Sequence, residues 1–355
     1  MKRIFCLILA VALICTACHR EEKRVFDPND TVRILVKRSG GYGYCNRNGF
    51  LVIPAQYEHA SIFSEGLAAV HVQGKDGYID VNGKMVIAPR FDAASIFMGG
   101  KAAVKDGNRW GYIDQTGKRV SESRFVATTY FTEGLAPVIV FEKDGVKGGY
   151  IDETGTFAIS PKLDDASNFF EGLAVVKVGK KYGFIDKSGA LVIKPIYDVA
   201  RQFREGLALV QINGKYGRFG YIDKQGKMVI PANYGYGTNF NEGVAAVQEK
   251  GGKWLLIDHA GNPIINRSFN GATMFSEGLA PVMKDKKTGY MDKKGDMVIK
   301  PQFEAGSIFV NGLAPVKVGD KCGFINKQGD MVIKPDFEWD QRIIDMYTSY
   351  YTTFK

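Results

Sequence analysis

The 355-residue chain predicts an all-β fold built as a tandem array. Three observations carry that expectation. A short phrase of Gly, aromatic, Ile, Asp or Asn, two variable residues and Gly recurs nine times. It begins at Gly43, Gly77, Gly111, Gly149, Gly183, Gly220, Leu255, Gly289 and Gly323, so successive copies start 34 to 38 residues apart. A fixed period in this range marks a repeat architecture. Runs such as Ala68, Val70, Val72 and Ala174, Val176, Val178 alternate strictly, which is the pattern of a half-buried strand. Turn residues fall at constant offsets between those runs. The expected result is nine three-stranded antiparallel meander units over residues 32–340, stacked as an open solenoid-like array in preference to a closed propeller-like ring. Nine complete units leave no half-unit for the two termini to share, hence the preference for an open array.

Residues 1–17 read as an export leader. Lys2 and Arg3 precede an apolar stretch from Ile4 to Ala17, too short to span a membrane and suited to a secretory signal. Cys18 after Thr16-Ala17 resembles the lipidated first residue of bacterial lipoproteins. Residues 18–31 are charged and without periodicity, and read as a tether. Loss of Lys2 and Arg3 with the leader lowers the formal charge from +9 to +7. The remaining Lys and Arg are spread through all units, and no interleaved basic and aromatic motif argues for nucleic acid. Cys45 and Cys322, in the first and last units, read as separate buried thiols, since a bond between them requires the ends of the array to meet.

Within a unit, Leu67–Val72 makes a first strand, the polar turn Gln73-Gly74-Lys75-Asp76 reverses the chain, and Gly77-Tyr78-Ile79-Asp80 makes a second. Asp at the start and Gly at the end of Asp-x-x-Gly suit a tight turn, the carboxylate accepting local N–H groups and the glycine taking the left-handed conformation. The turns pair Asp80 with Gly83, Asp114 with Gly117, Asp152 with Gly155, Asp186 with Gly189, Asp223 with Gly226 and Asp292 with Gly295. A third strand such as Lys84–Ile87 follows, and Pro89, Pro161, Pro195, Pro301 and Pro335 are expected to stop it. The connector Tyr197–Phe203, apolar at i, i+3 and i+6, suggests a turn or two of helix. The aromatic segment 341–355 is expected to cap the last unit.

This pattern resembles the WG-repeat family, bacterial β-rich repeats built on Trp-Gly, a strand, a turn and a Val-Ile-x-Pro-x-Tyr segment. The namesake pair stands only at Trp110-Gly111, and Trp254 is followed by Leu255. The resemblance implies binding or scaffolding and supplies no catalytic residues.

Chemistry-bearing residues fit that expectation. The histidines His19, His59, His71 and His259 are isolated in sequence, and no hydrolase, zincin or phosphate-loop motif occurs. The recurring acids, including the second column Glu65, Glu133, Glu171, Glu205, Glu242 and Glu277, read as turn caps, because catalysis needs one asymmetric constellation. The aromatic columns headed by Tyr44 and Tyr57 read as inter-unit core. Trp110, Trp254 and Trp339 lie at or near irregularities of the repeat and are the candidate binding residues. The chain is therefore expected to be a non-enzymatic binding scaffold of the bacterial envelope, periplasmic or at the cell surface. Lipid on Cys18 would anchor it, no cofactor or metal is expected, and the partner would be an envelope protein or a glycan. A carbohydrate or peptidoglycan ligand is the alternative within binding, and an enzyme with its site in an irregular unit is the rival from another class.

Overall fold

The computed structural model describes residues 30–143, 145–214, 217–249, 251–265 and 274–354. The leader and Cys18 lie outside the described residues. Nine small antiparallel sheets follow one another along the chain, each formed by adjacent strands in sequence order. In the second, Leu67–Val72, Lys75–Asp80 and Met85–Phe91 pair in turn. We number these sheets as blades 1 to 9. Five of them gain a fourth short strand from the incoming connector, as where Ala93–Ala94 pairs with Lys101–Asp106. The connector before blade 6 is likewise extended, Val199–Ala200 pairing with Ala208–Ile212, and not helical as its spacing suggested. Its apolar positions serve two neighbouring blades, which produces a helix-like spacing without a helix.

The prolines also act differently from expectation. Met85–Phe91 runs two residues past Pro89. Its register against Lys75–Asp80 slips between the Tyr78–Ile87 and Asp76–Phe91 pairs, so the proline sits at a bulge. The strand is the outermost of its blade, where a missing N–H leaves no ladder partner unsatisfied.

The blades close into a ring, which overturns the open solenoid-like array. Between blades 2 and 3, Tyr78, Ile87 and Phe91 pack on Phe97, Ala102, Val104 and Ile113. Between blades 9 and 1, Phe324, Ile333 and Phe337 pack on Ile34, Val36 and Cys45, the corresponding positions of the repeat. Polar contacts repeat as well. Asp92 follows Phe91 and accepts the Gly107 N–H of the next blade at 2.6 Å. Glu338 follows Phe337 and accepts the Gly40 N–H of blade 1 at 2.9 Å. Arg38–Asp336 at 3.0 Å and Lys37–Asp340 at 3.3 Å add ion pairs across the same seam. The fold is a nine-bladed β-propeller. Complete units at both termini did not forbid closure, because the seam is made by side chains between whole blades and no strand is shared. Cys45 and Cys322 are both buried in the seam cluster, with no disulfide between them.

The C-terminal segment does more than cap blade 9. It forms helix α1 (Gln341–Phe354), whose 14 residues span about 21 Å. Asp340 caps its start by accepting the Arg342 N–H at 2.9 Å. The helix meets the connectors entering several blades. Thr348 lies 3.0 Å from Ser307, the Met346 sulfur 3.3 Å from the Ile62 nitrogen, and the Phe354 ring 5.3 Å from that of Tyr130. In other blades a connector hydroxyl accepts a strand N–H, as Ser95 does from Ala103 and Ser167 from Val175. For blade 1 the acceptor is Tyr347 of α1, whose hydroxyl takes the Leu35 N–H at 2.9 Å. The helix thus supplies to blade 1 what a connector supplies elsewhere.

Candidate binding site in the central channel

The connectors form the inner edge of each blade. One position of each, read around the ring, is Ile62, Ile96, Tyr130, Asn168, Gln202, Asn239, Met274 and Ile308. Helix α1 packs on the apolar part of this column: Ile62, Ile96 and Tyr130 join Ile343, Met346, Tyr347 and Tyr350 in one cluster. Burial there is nearly complete, with Ile62 2 % exposed. Asn168 still lies beside Met346, Tyr350 and Phe354 of α1, whereas Gln202 and Asn239 line a cavity whose described walls include no residue of the helix. This cavity, of about 460 Å³, is walled by the connectors entering blades 5, 6 and 7, by Met274, and by Val175, Lys177 and Tyr182 of blade 5.

Its polar groups have few internal partners. The Lys177 ammonium lies 5.6 Å from the centre of the Tyr182 ring. Arg201 donates to the Tyr236 hydroxyl and stands 5.3 Å from the centre of that ring. Asn241 donates to the Phe275 carbonyl at 2.6 Å. The side-chain amide oxygen Oδ1 of Asn239 is buried with no hydrogen-bond partner. Burying an acceptor unpaired costs about 1–3 kcal/mol, so this atom calls for a donor from outside the chain.

The repeated acids are placed elsewhere. Asp80 Oδ1 accepts the N–H groups of Asn82 and Lys84, both at 2.9 Å, and the Gly83 N–H bonds the Asp80 carbonyl. Asp114, Asp152, Asp186, Asp223, Asp258 and Asp292 repeat the arrangement in their own turns. Side-chain hydrogen bonds from Thr116, Thr154 and Ser188 hold Asp114, Asp152 and Asp186 below the usual carboxylate range. The glutamates act between blades. Glu171 accepts the Gly206 N–H of the next connector at 3.1 Å and pairs with Lys224 of the next blade at 3.1 Å. Glu133, Glu242 and Glu277 make the same pair of links, and Glu205 accepts the Gly243 N–H and lies 2.9 Å from the His259 ring. Among the described residues no group of three or more His, Cys, Asp or Glu is arranged to hold a metal ion.

The glycines that end these turns take the left-handed conformation, with φ of 80° to 86° at Gly83, Gly117, Gly155, Gly189, Gly226 and Gly295. Each of them also lies against the preceding blade. A Cβ on Gly117 would stand 3.2 Å from the Ile87 side chain, one on Gly189 3.1 Å from Ile159, and one on Gly226 3.2 Å from Ile193. Gly295 meets Ile265 at 3.0 Å, and at Gly155 the obstacle is the Val120 carbonyl oxygen at 2.6 Å. The contact joins residues about 30 positions apart, so only the stacking of blades reveals it.

The glycines before the aromatic have a different steric cause. A Cβ on Gly77 would stand 2.5 Å from the Ile87 carbonyl oxygen and 2.7 Å from the Pro89 nitrogen, because the bulged outer strand crosses over it. Gly183, Gly220 and Gly289 meet the same obstruction. In blade 7 the position is Leu255, and there the described residues form only three strands, the connector strand included, with Pro263 making an isolated bridge to Ile257. Glycine, aromatic, bulged proline strand and turn therefore form one mechanical unit. The WG containing repeat model matches nine stretches: 42–75, 77–110, 110–140, 149–182, 182–216, 219–254, 256–287, 289–322 and 323–339.

The chain belongs to the WG containing repeat family.

None of the curated proteins matches this WG-repeat chain. Among solved structures it is similar to the computationally designed Ika8 protein, at 13 % identity and TM-score 0.46, covering 76 % of this chain and 93 % of that one. BamB from Moraxella catarrhalis matches at 12 % identity and TM-score 0.41, over 74 % and 88 % of the two chains. Hsv2p from Kluyveromyces lactis matches at 11 % identity and TM-score 0.38, over 76 % and 92 %.

In the WG-repeat ring the three tryptophans do not converge. Trp110 is in blade 3, Trp254 in blade 7 and Trp339 just before α1, and each is partly buried against an inter-blade cluster. Trp254 packs edge-on against Tyr236 with ring centres 5.9 Å apart. The aromatic column Tyr44, Tyr78, Tyr112, Tyr150, Phe184, Tyr221 and Tyr290 is fully buried. Its tyrosine hydroxyls donate to a connector carbonyl 17 residues on, as Tyr78 does to Ser95 at 2.7 Å. His59 and His71, isolated in sequence, stand with ring centres 5.8 Å apart, and His71 Nδ1 lies 2.6 Å from Asp76. The channel residues Arg201, Gln202 and Asn239 escaped sequence reasoning. Their signal was present: aligned repeats read Ser61, Ser95, Thr129 and Ser167, then Arg201, one column before the switch from Ile to Asn and Gln.

Proposed function

We propose that this WG-repeat ring is a non-enzymatic binding scaffold of the bacterial cell envelope, exported by residues 1–17 and held at the membrane by lipid on Cys18. The observation that carries the binding reading is the hairpin of blade 4. Its strands, Leu135–Glu142 and Gly145–Asp152, are eight residues each, where the corresponding hairpins have four to six. Phe141 and Val146 pair across its end and are 62 % and 46 % exposed. The Arg109 guanidinium lies 4.8 Å from the Phe141 ring centre and that of Arg124 lies 5.1 Å from Phe157. Exposed aromatic and arginine side chains beside a hollow are what protein-binding hot spots are made of. The four extra residues between the third and fourth repeats build this extension, so the irregularity adds surface and leaves the core unchanged. The envelope location is supported by the sequence of the leader and by the charged segment that follows it.

Affinity capture from detergent-solubilised envelopes tests the reading, with the wild-type chain and Phe141→Ser/Val146→Ser run side by side. A protein retained by the wild type and lost with the variant, then shown to bind directly when purified, is the expected outcome. Equal capture by both chains removes the blade 4 surface from the account. Cys18→Ser should abolish incorporation of labelled lipid, and retained labelling would refute the anchor.

A further inference from the structure

We propose that the uncovered arc of the central channel is a small-molecule site for an acidic saccharide, a sugar ring bearing a carboxylate. The inference is independent of the blade 4 surface. The cavity's volume of about 460 Å³ lies within the range of small-ligand sites, about 300–1,000 Å³. Its wall carries two cations, Lys177 and Arg201, against one carboxylate, Asp165, which accepts its own neighbour's N–H from Ala166 at 2.9 Å. The cationic excess selects an anion. Neutral amides at Gln202 and Asn239 offer both donors and acceptors, the pattern that matches hydroxyl groups, which do both. The unpaired, buried Asn239 oxygen specifically needs a hydroxyl or N–H donor. Tyr182 gives an aromatic wall for the C–H face of a ring.

The strongest argument is what the repeat forgoes at Arg201. At the corresponding position Ser61, Ser95, Ser167 and Thr238 use their hydroxyls to accept the N–H of Ala69, Ala103, Val175 and Ala246, at 2.9 to 3.1 Å. Arg201 keeps only the backbone half of that exchange, donating to the Leu209 carbonyl at 2.9 Å. Its side chain has no hydroxyl for the Leu209 N–H. The preceding blade carries Phe184 in place of the tyrosine whose hydroxyl would otherwise bond the Arg201 carbonyl. Two structural hydrogen bonds are absent at Arg201, a residue of the cavity wall whose guanidinium rests on Tyr236. Packing does not ask for this, since neighbouring blades pack with Ser or Thr. A bound carboxylate does, because guanidinium holds it through two parallel charge-assisted hydrogen bonds.

The test uses the detergent-solubilised full chain, with titration calorimetry against digalacturonate, the neutral digalactose of the same linkage, and a dipeptide of similar size. The variants Arg201→Ser and Asn239→Ile install residues the ring itself carries at corresponding positions, so their thermal midpoints should match the wild type. Digalacturonate is expected to bind, with the neutral sugar and the dipeptide at least tenfold weaker. Each variant should weaken digalacturonate at least tenfold, while Phe141→Ser leaves it unchanged. No digalacturonate binding at millimolar concentration overturns the proposal, as does equal binding of the neutral sugar, preference for the dipeptide, or unaltered affinity in both variants.

Discussion

Gly183 has φ outside the left-handed region, so its identity is not a matter of backbone freedom. A Cβ there would lie 2.6 Å from the Ile193 oxygen and 2.8 Å from the Pro195 nitrogen, both backbone atoms that cannot swing aside. Gly183→Ala is therefore expected to lower unfolding stability by about 1–3 kcal/mol, the cost of overpacking, measured by urea denaturation. Tyr347 offers a polar counterpart. Tyr347→Phe keeps the ring and removes the acceptor of the Leu35 N–H, and should cost about 1–3 kcal/mol by the same measurement. The glycine was legible in sequence as a recurrent position, and its cause was not. A glycine that turns the chain and one that lets a strand cross look alike until the crossing strand is placed. Trp110, Trp254 and Trp339 show the converse. Rarity drew attention to them, whereas Arg201 and Asn239, ordinary residue types, owe their interest to what stands opposite.

At the scale of the element, the Glu-Gly turns link neighbouring blades. Their glutamates take φ of 51° to 55°, a conformation that costs an L-residue about 1–2 kcal/mol. Glu171 offsets that cost through its bonds to Gly206 and Lys224. Glu171→Ala should lose the link and keep the strain, destabilising by about 1 kcal/mol, whereas Glu171→Gly loses the link and relieves the strain. A thermal midpoint for Glu171→Gly at or above that of Glu171→Ala is the expected order. The sequence placed these acids correctly in turns but assigned them to their own turn. The partner lies about 35 residues on, and only stacking brings it near. Helix α1 was similarly unreadable: its aromatic residues are those of a strand as much as of a helix, and the channel that receives its apolar face exists only after closure.

For the whole molecule, the seam between blades 9 and 1 is where acid should act first. Burial alone would raise Asp340, but hydrogen bonds from Arg342, Tyr42 and Lys37 overcome it and hold the carboxyl down to about 2. Its side chain is 7 % exposed, so the charge is poorly screened. A carboxyl with a depressed folded pKa stabilises the ring above its unfolded value and loses that contribution as pH falls through the folded one. The seam and the start of α1 should therefore loosen between the ordinary carboxylate range and about pH 2. Trp339, packed beside the seam cluster, reports this by fluorescence. Asp340→Asn should flatten that part of the acid transition and leave the contribution of the Asp-x-x-Gly turns in place.

The sequence by itself determined the repeat, its period, the order of strands and turns in each unit and the membership of the WG-repeat family, because all of these are set by contacts within a few dozen residues. Whether the array closes depends on the small rotation between successive blades summed over the ring. That rotation follows from how Phe91-type and Phe97-type side chains seat against each other, and no local pattern records it. Cys45 and Cys322 lay at opposite ends of the sequence and are both buried at the seam. The same closure made a channel, gave α1 a place within it, and left Arg201, Gln202 and Asn239 facing the space that the helix does not fill.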